Sequence, residues 1–328
     1  MKQISSFIVM ILITCSACAQ PHATKLLAES PTSINYTTEL IVPELDTPWG
    51  LVFLPDGGLL VSEKKGDLIH FKNGKKTVIE GLPEMYIRGQ GGLMDLELHP
   101  KYDENGWIYI SYVSSEGEGP GGNTAIVRAK LDGNKLTNKE LIYKATPNTA
   151  KGLHFGSRIE FDNDGYLYFS IGERNERDTN PQNINLDCGK IYRLYDDGRI
   201  PEDNPFVNTQ GAKPAIYSYG HRNPQGLVKH PETGAIWENE HGPQGGDEIN
   251  IIHKGKNYGW PVISYGINYD GTIFTDITEK EGMEQPLFYW VPSIAPCGMA
   301  FVTSDIYPDW KGDLLVSSMK FSYLERLV

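Results

Sequence analysis

The chain has 328 residues, among them 35 Gly, 21 Pro and 18 Tyr, and a formal net charge of -12. This length suits one large domain or two smaller ones, and the Gly, Pro and Tyr content favours many short strands joined by tight turns over long helices. The acidic balance argues against nucleic acid or an anionic membrane surface as partner, since either calls for a basic patch, and leaves a small neutral ligand or a cation as the easier guest.

The chain opens with Lys2, an apolar run from Phe7 to Ile13 too short to span a bilayer, and then small residues, which is the pattern of a secretory signal. Ala17-Cys18-Ala19 fits cleavage before Gln20, giving a signal over residues 1–19, whereas Ser16-Ala17-Cys18 resembles a bacterial lipoprotein site with Cys18 as the lipidated residue. Both routes take the mature chain out of the cytoplasm. Residues 20–36 read as a flexible linker and residues 37–328 as the main domain. Cys188 and Cys297 are the cysteines left to that domain, and two buried free thiols are expected there in preference to a disulfide.

From Pro48 onward one pattern returns. PWGLVFLPDGGLLVSEKKGDLIHF starts at Pro48, GGLMDLELHPKYDENGWIYISYV at Gly91, GSRIEFDNDGYLYFSIGE at Gly156, PQGLVKHPETGAIWENEHG at Pro224 and PCGMAFVTSDIYPDWKGDLLVSSMK at Pro296. Each copy is a short apolar strand, a turn with Asp-Gly, Asn-Gly, Thr-Gly or Lys-Gly, and a second strand ending in small or polar residues, which reads as a β-hairpin. Successive copies start 43, 65, 68 and 72 residues apart, room for about four strands each, as in propeller blades. No segment keeps an apolar pattern at helical period.

Radial blades deliver residues remote in sequence to one mouth. Gln90 heads the second copy and His154 the third. A histidine there can act as a general base near neutral pH, although a lone His or Gln also serves as an ordinary structural residue. Tyr219-Gly220-His221-Arg222-Asn223-Pro224 heads the fourth copy. Arg222 suits a carboxylate or a developing oxyanion, or else bridges loops through backbone carbonyls. Glu240, Asp247 and Glu248 then lie within nine residues around Gly242-Pro243, whose carbonyls can turn inward. Hard oxygen ligands favour calcium over zinc, with a solvated acidic loop as the alternative. The spacing matches neither an EF-hand nor HExxH.

GHRNPQGL, EHGPQGGDEINIIHKGKNYGWP, GQGGLMDLELHP, HFGSRIEFDNDGYLYFSIGERN and PSIAPCGMAF, in that combination, closely resemble the soluble pyrroloquinoline quinone (PQQ) dependent aldose sugar dehydrogenases, relatives of the soluble glucose dehydrogenases. The resemblance runs from about Pro48 to Lys320. It implies an all-β fold, a six-bladed β-propeller of four-stranded antiparallel blades, exported to the bacterial periplasm. By the same resemblance, His154 is the catalytic base that takes the proton of an aldose's anomeric hydroxyl while hydride passes from C1 to the quinone. Arg222 assists it, and Gln90, His154, Arg222, Asn223 and Lys320 contact the PQQ. The carbonyls of Gly242 and Pro243 are the implied ligands of a calcium ion bound by the quinone. A second calcium is implied at Glu248 and the carbonyl of Tyr258.

The family pattern continues past GDLLVSSMKFSYLERLV with an Arg-rich segment and further strands, so the last blade is expected to be incomplete here. Cys297 stands where a small hydroxyl residue is more usual. Two other functions fit parts of the pattern: a calcium-dependent propeller lactonase or esterase, and a non-enzymatic sugar-binding propeller. The first offers no reason for Gln90, Arg222 and Lys320 together, and the second would be a propeller retired from catalysis by the missing segment. With no c-type haem motif, electrons are expected to leave to a separate acceptor. Ser111–Ala125 and Asn175–Asp187 read as loops that shape the sugar subsite, and the sequence is compatible with a monomer or a homodimer.

Overall fold

Each hairpin copy in the sequence becomes the first two strands of one antiparallel sheet. In the first copy, Leu54 N–H donates to Gly58 O at 2.8 Å, Asp56 Oδ1 accepts from Gly58 N at 2.9 Å, and Gly57 takes a φ of 82° that only glycine adopts freely. The computed structural model describes residues 37–328, so the signal, the Cys18 anchor and the linker expected for residues 1–36 lie outside the described residues.

The first sheet holds β1 (Pro48–Phe53), β2 (Leu59–Glu63), β3 (Asp67–Lys72) and β4 (Lys75–Val78). The second holds β5 (Leu93–Leu98), β6 (Trp107–Ser114), β7 (Asn123–Asp132) and β8 (Lys135–Lys144), and the third holds β9 (Ile159–Phe161), β10 (Leu167–Ile171), β11 (Lys190–Leu194) and β12 (Ile216–Tyr219). The fourth holds β13 (Pro224–Lys229), β14 (Ile236–Glu240), β15 (Asp247–Ile251) and β16 (Phe288–Trp290). The fifth has three strands, β17 (Pro296–Phe301), β18 (Leu314–Ser318) and β19 (Tyr323–Leu327). Every sheet is a simple meander in chain order. Ser111–Ser114 and Asn123–Ala125 belong to β6 and β7, so the expected loop over 111–125 shrinks to 115–122. The eight paired residues, buried on both faces over most of their length, outweigh the glycines between them.

Successive sheets pack face to face through their first strands, β1 on β5, β5 on β9, β9 on β13 and β13 on β17, which is the propeller arrangement. Period-2 alternation assigns the faces. Ile108 and Ile110 pack toward Leu60 and Leu68 of the first sheet, while Tyr109 between them packs on Phe161 and Phe169 of the third. The fourth and fifth sheets meet through Ile249, Trp290, Met299 and Val316.

A polar tether recurs at every junction. The second-strand residues Ser62, Ser111, Ser170 and Asn239 occupy one repeat position. Each donates to a carbonyl at the start of the next sheet: Met94, Ser157 (2.7 Å), Pro224 (3.4 Å) and Cys297 (2.8 Å) respectively. Ser317 holds that position in the fifth sheet, and its hydroxyl has no partner among the described residues.

The blade count expected from the family resemblance is corrected. The described residues make five sheets and not six, because five hairpin copies supply five pairs of inner strands. Among the described residues no comparable packing joins the fifth sheet to the first, and Leu51 and Phe53 on β1 are 56% and 73% exposed. Cys188 and Cys297 are free thiols as expected, but only the first is buried; Cys297 is half-buried at the start of β17.

Candidate active site

An antiparallel hairpin places the entry of its first strand beside the exit of its second. Pro224 therefore pairs with Glu240 and Pro296 with Ser318, and residues just before the one and just after the other share an end of the propeller. Register shifts at Pro48/Gly50, Leu93/Leu96, Pro224/Gly226 and Pro296/Met299 bulge four of the inner strands near that end and re-aim the residues flanking it. Gln90, His154, Arg222 and Asn223 enter here. Glu173, His241 and Lys320 leave here.

His154 is buried, and its Nδ1 bonds Glu173 Oε1, from a carboxylate only 1% exposed. Its backbone N–H donates to Gln90 Oε1 at 2.7 Å, and its φ of 52° lies in the left-handed region. Gly172, at the exit of β10, permits this packing, since a methyl group there would collide with His154 O and Asn223 Oδ1. A carboxylate at Nδ1 fixes the proton on that nitrogen and leaves the Nε2 lone pair, which has no partner among the described residues, as a base. Burial pushes the imidazole below its ordinary pKa, with the Glu173 hydrogen bond opposing and the Arg222 charge adding to the fall. His154 is thus neutral at pH 7.

Arg222 is buried beside it. Nη1 donates to His241 O at 2.9 Å and the guanidinium carbon sits 5.3 Å from the Trp260 ring centroid. Burial drives His241 down to about 3, with Arg222 and His154 contributing, and its Nε2 lies 2.6 Å from Pro296 O, so it is a neutral donor to that carbonyl. Asn223 Oδ1 accepts from Gly156 N at 3.1 Å. Lys320 Nζ donates to Ser293 O at 3.1 Å. Asp247 joins the fourth and fifth sheets there. Its Oδ1 accepts from Gly242 N at 2.8 Å, and its Oδ2 accepts from Ser293 Oγ, Ile294 N and Ala295 N at 2.7–2.9 Å.

The donors left over indicate what the mouth could hold. Gln90 Nε2, Asn223 Nδ2 and Arg222 Nη2 donate to nothing among the described residues, although Gln90 and Asn223 spend their oxygens on the backbone around His154. With Lys320 they form a rim of amide and cationic donors, which fits a polyanionic cofactor. The carbonyls of Gly242 and Pro243 likewise accept from no donor among the described residues, which fits a hard cation.

Glu248 and Tyr258 sit in a different neighbourhood, between the third and fourth sheets. Glu238 and Glu240 share one face of β14, opposite Asn250 and Glu248 on β15. His221 lies against them, 3.5 Å from Glu238 and 3.3 Å from Glu240, with its ring stacked 4.5 Å from that of Tyr258. Ligand atoms of His221, Glu238 and Glu240 all fall within 4.8 Å of one another. Burial opposes charge on His221, yet the bonds and charges of Glu238 and Glu240 raise it to about 9. Burial, then the Glu240 charge, raises Glu238 to about 7 and pushes Glu248 well above the carboxylate range. Glu238 Oε2 is buried without a partner, and Tyr258 O has no donor among the described residues. Such a crowd of acids fits a cation.

Sequence reasoning missed Glu173, His241, Glu238 and His221 as site residues. Glu238 and Glu240 alternate around Asn239, so the period of a strand was sufficient to put both carboxylates on one face. Glu173 carried no comparable sign.

Fold and site together define a β-propeller that gathers a buried histidine–carboxylate base, a fixed cation and unspent amide donors at one mouth. The chain belongs to the Glucose / Sorbosone dehydrogenase family, whose model matches residues 45–328. It is 43% identical over 298 residues to aldose sugar dehydrogenase YliI of Escherichia coli K12, covering 89% of this chain and 79% of that protein. Among solved structures it is similar to the apo soluble aldose sugar dehydrogenase of Escherichia coli, with a TM-score of 0.83, 40% identity, and coverage of 88% of this chain and 87% of that one. It is also similar to the PQQ-bound aldose sugar dehydrogenase of Streptomyces coelicolor, with a TM-score of 0.71, 29% identity, and coverage of 88% and 79%.

Proposed function

We propose that this protein is a PQQ-dependent, calcium-requiring aldose sugar dehydrogenase that oxidises the C1 hydroxyl of an aldose to the lactone. The observation that carries the reading is the His154–Glu173 pair set among the free donors of Gln90, Asn223 and Arg222. PQQ supplies a two-electron acceptor for the C1 hydride, and calcium supplies a Lewis acid for it. Arg222 and Lys320 would hold the cofactor's negative charge, Gln90 and Asn223 would donate amide hydrogens to it, and the Gly242 and Pro243 carbonyls would hold its calcium. Glu248, the Tyr258 carbonyl and the acids Glu238 and Glu240 would hold a second, structural calcium.

His154 then does the proton work. Its Nε2 takes the proton of the anomeric hydroxyl as the C1 hydride departs, which avoids a charged oxocarbenium on the sugar. Glu173 steadies the imidazolium so formed without itself taking the proton. Electrons pass to a separate acceptor, and the leader places the protein outside the cytoplasm, in the periplasm, with Cys18 as a lipid anchor if the lipoprotein route is used. The test is a titration of the purified protein with PQQ, with and without calcium, followed by absorbance. Calcium-dependent binding whose spectrum changes on adding glucose supports the reading, and no binding at micromolar PQQ with calcium present would overturn it.

A further inference from the structure

Arg174 is a fully buried cation beside the site, 0% exposed, and the role of base just described does not use it. No carboxylate pairs with it among the described residues. Its Nη1 donates to Leu153 O, its Nη2 to Lys151 O at 2.5 Å and Gly122 O at 3.4 Å, and its backbone N–H to His154 O at 3.3 Å. The guanidinium carbon lies 3.3 Å from the Phe155 ring centroid, and Nε has no partner. The fork therefore grips the chain just before His154, and its plane lies on the ring of Phe155 just after it. Lys151 returns the contact through Nζ, which donates to Asn175 O at 2.9 Å and pairs with Glu176 at 2.7 Å. His154, Arg174 and Asn175 all take positive φ, at 52°, 61° and 56°.

Burying a guanidinium without a counter-ion is unfavourable, and three left-handed non-glycine residues persist only where their surroundings over-determine them. We propose that Arg174 is a positioning residue for His154: its buried fork fixes residues 151–153, and with them holds the imidazole against Glu173 with Nε2 free. The inference rests on His154 acting as the base. The charged groups that act on that imidazole are Glu173, which favours its protonated form, and Arg222 and Arg174, which oppose it, with His241 neutral and bonded to Arg222 through its carbonyl. Arg174 is one of the two cations that disfavour the imidazolium, so its charge and its fork act in the same direction.

The experiment compares wild type, Arg174→Met and Arg174→Lys by two readouts. One is the titration of His154 by NMR in the cofactor-free protein, assigned with His154→Gln. The other is dye-linked glucose oxidation in protein loaded with PQQ and calcium. In Arg174→Met the His154 midpoint and the acid limb of kcat both move to higher pH, and kcat falls about 100-fold with KM for glucose nearly unchanged, the size expected for a base displaced by about 1 Å. Arg174→Lys keeps the charge, so its midpoint stays near wild type while kcat falls about tenfold. A folded Arg174→Met with wild-type midpoint and kcat overturns the proposal. If that variant does not fold, Arg174→Lys decides: wild-type kcat overturns the proposal and a lowered kcat at an unchanged midpoint supports it. Because the NMR titration needs no cofactor, it separates failure of this inference from failure of the dehydrogenase reading.

Discussion

Replacing Glu173 by Gln removes one negative charge and changes little else. Glu173 Oε1 has His154 Nδ1 as its partner, and Oε2 is buried without one, so the carboxylate is committed to the imidazole. A hydrogen bond to a charged group contributes about 1.5–3 kcal/mol, against about 1 for a neutral one. The amide oxygen of Gln can still accept from Nδ1–H, so the loss is the part that grows as His154 becomes cationic in the transition state. The difference, about 0.5–2 kcal/mol, is at 1.4 kcal/mol per factor of ten a fall in kcat of about 2- to 30-fold, with KM for the sugar nearly constant. The pH profile gives a second sign. Glu173 opposes the fall in the His154 pKa that burial produces, so without its charge the acid limb of kcat moves to lower pH even as the plateau drops. The assay is dye-linked glucose oxidation from pH 4 to 9 on protein loaded with PQQ and calcium. A variant within twofold of wild type at its plateau, with an unmoved acid limb, would refute the assignment of the pair.

In the wild type the base must be neutral, and its pKa lies below the ordinary 6.5, so kcat should be flat from pH 7 upward and fall only below pH 6.5. A limb centred above 7 would contradict this. Gly172→Ala should lower thermal stability by about 1–3 kcal/mol and activity with it, because its methyl group meets His154 O and Asn223 Oδ1. Calorimetry and the dye assay check both effects. Ser111→Ala should cost about 1–3 kcal/mol in urea unfolding while leaving KM intact, since Ser111 Oγ both donates to Ser157 O at 2.7 Å and accepts from Asp95 N at 2.7 Å. Chelation should lower the unfolding temperature by uncovering the repulsion among Glu238, Glu240 and Glu248, and calcium should restore it better than magnesium, which demands stricter geometry.

The strands were legible where their causes are local. Turn dipeptides and alternating apolar residues placed five hairpins at Pro48, Gly91, Gly156, Pro224 and Pro296, and each became the inner pair of a sheet. The count of six came from family resemblance and was not written in those repeats. The inter-sheet tether was present as one recurring Ser or Asn in the second strand, yet its meaning needs the neighbouring sheet. Glu173 was invisible as a partner because its contact with His154 spans 19 residues and two loops. Arg174 was harder still, since a surface salt bridge and a buried fork on three carbonyls look alike in sequence. Glu238 and Glu240 were readable from strand period, but the His221 that joins them comes from the end of another sheet.

The central claim is a quinone-dependent sugar oxidation with His154 as base. It is tested most directly by dye reduction with glucose, measured before and after adding PQQ and calcium, with His154→Ala alongside. Turnover that requires both additions and falls at least about 100-fold in the variant is the predicted result. Turnover without PQQ, or a His154→Ala protein as active as wild type, would contradict it.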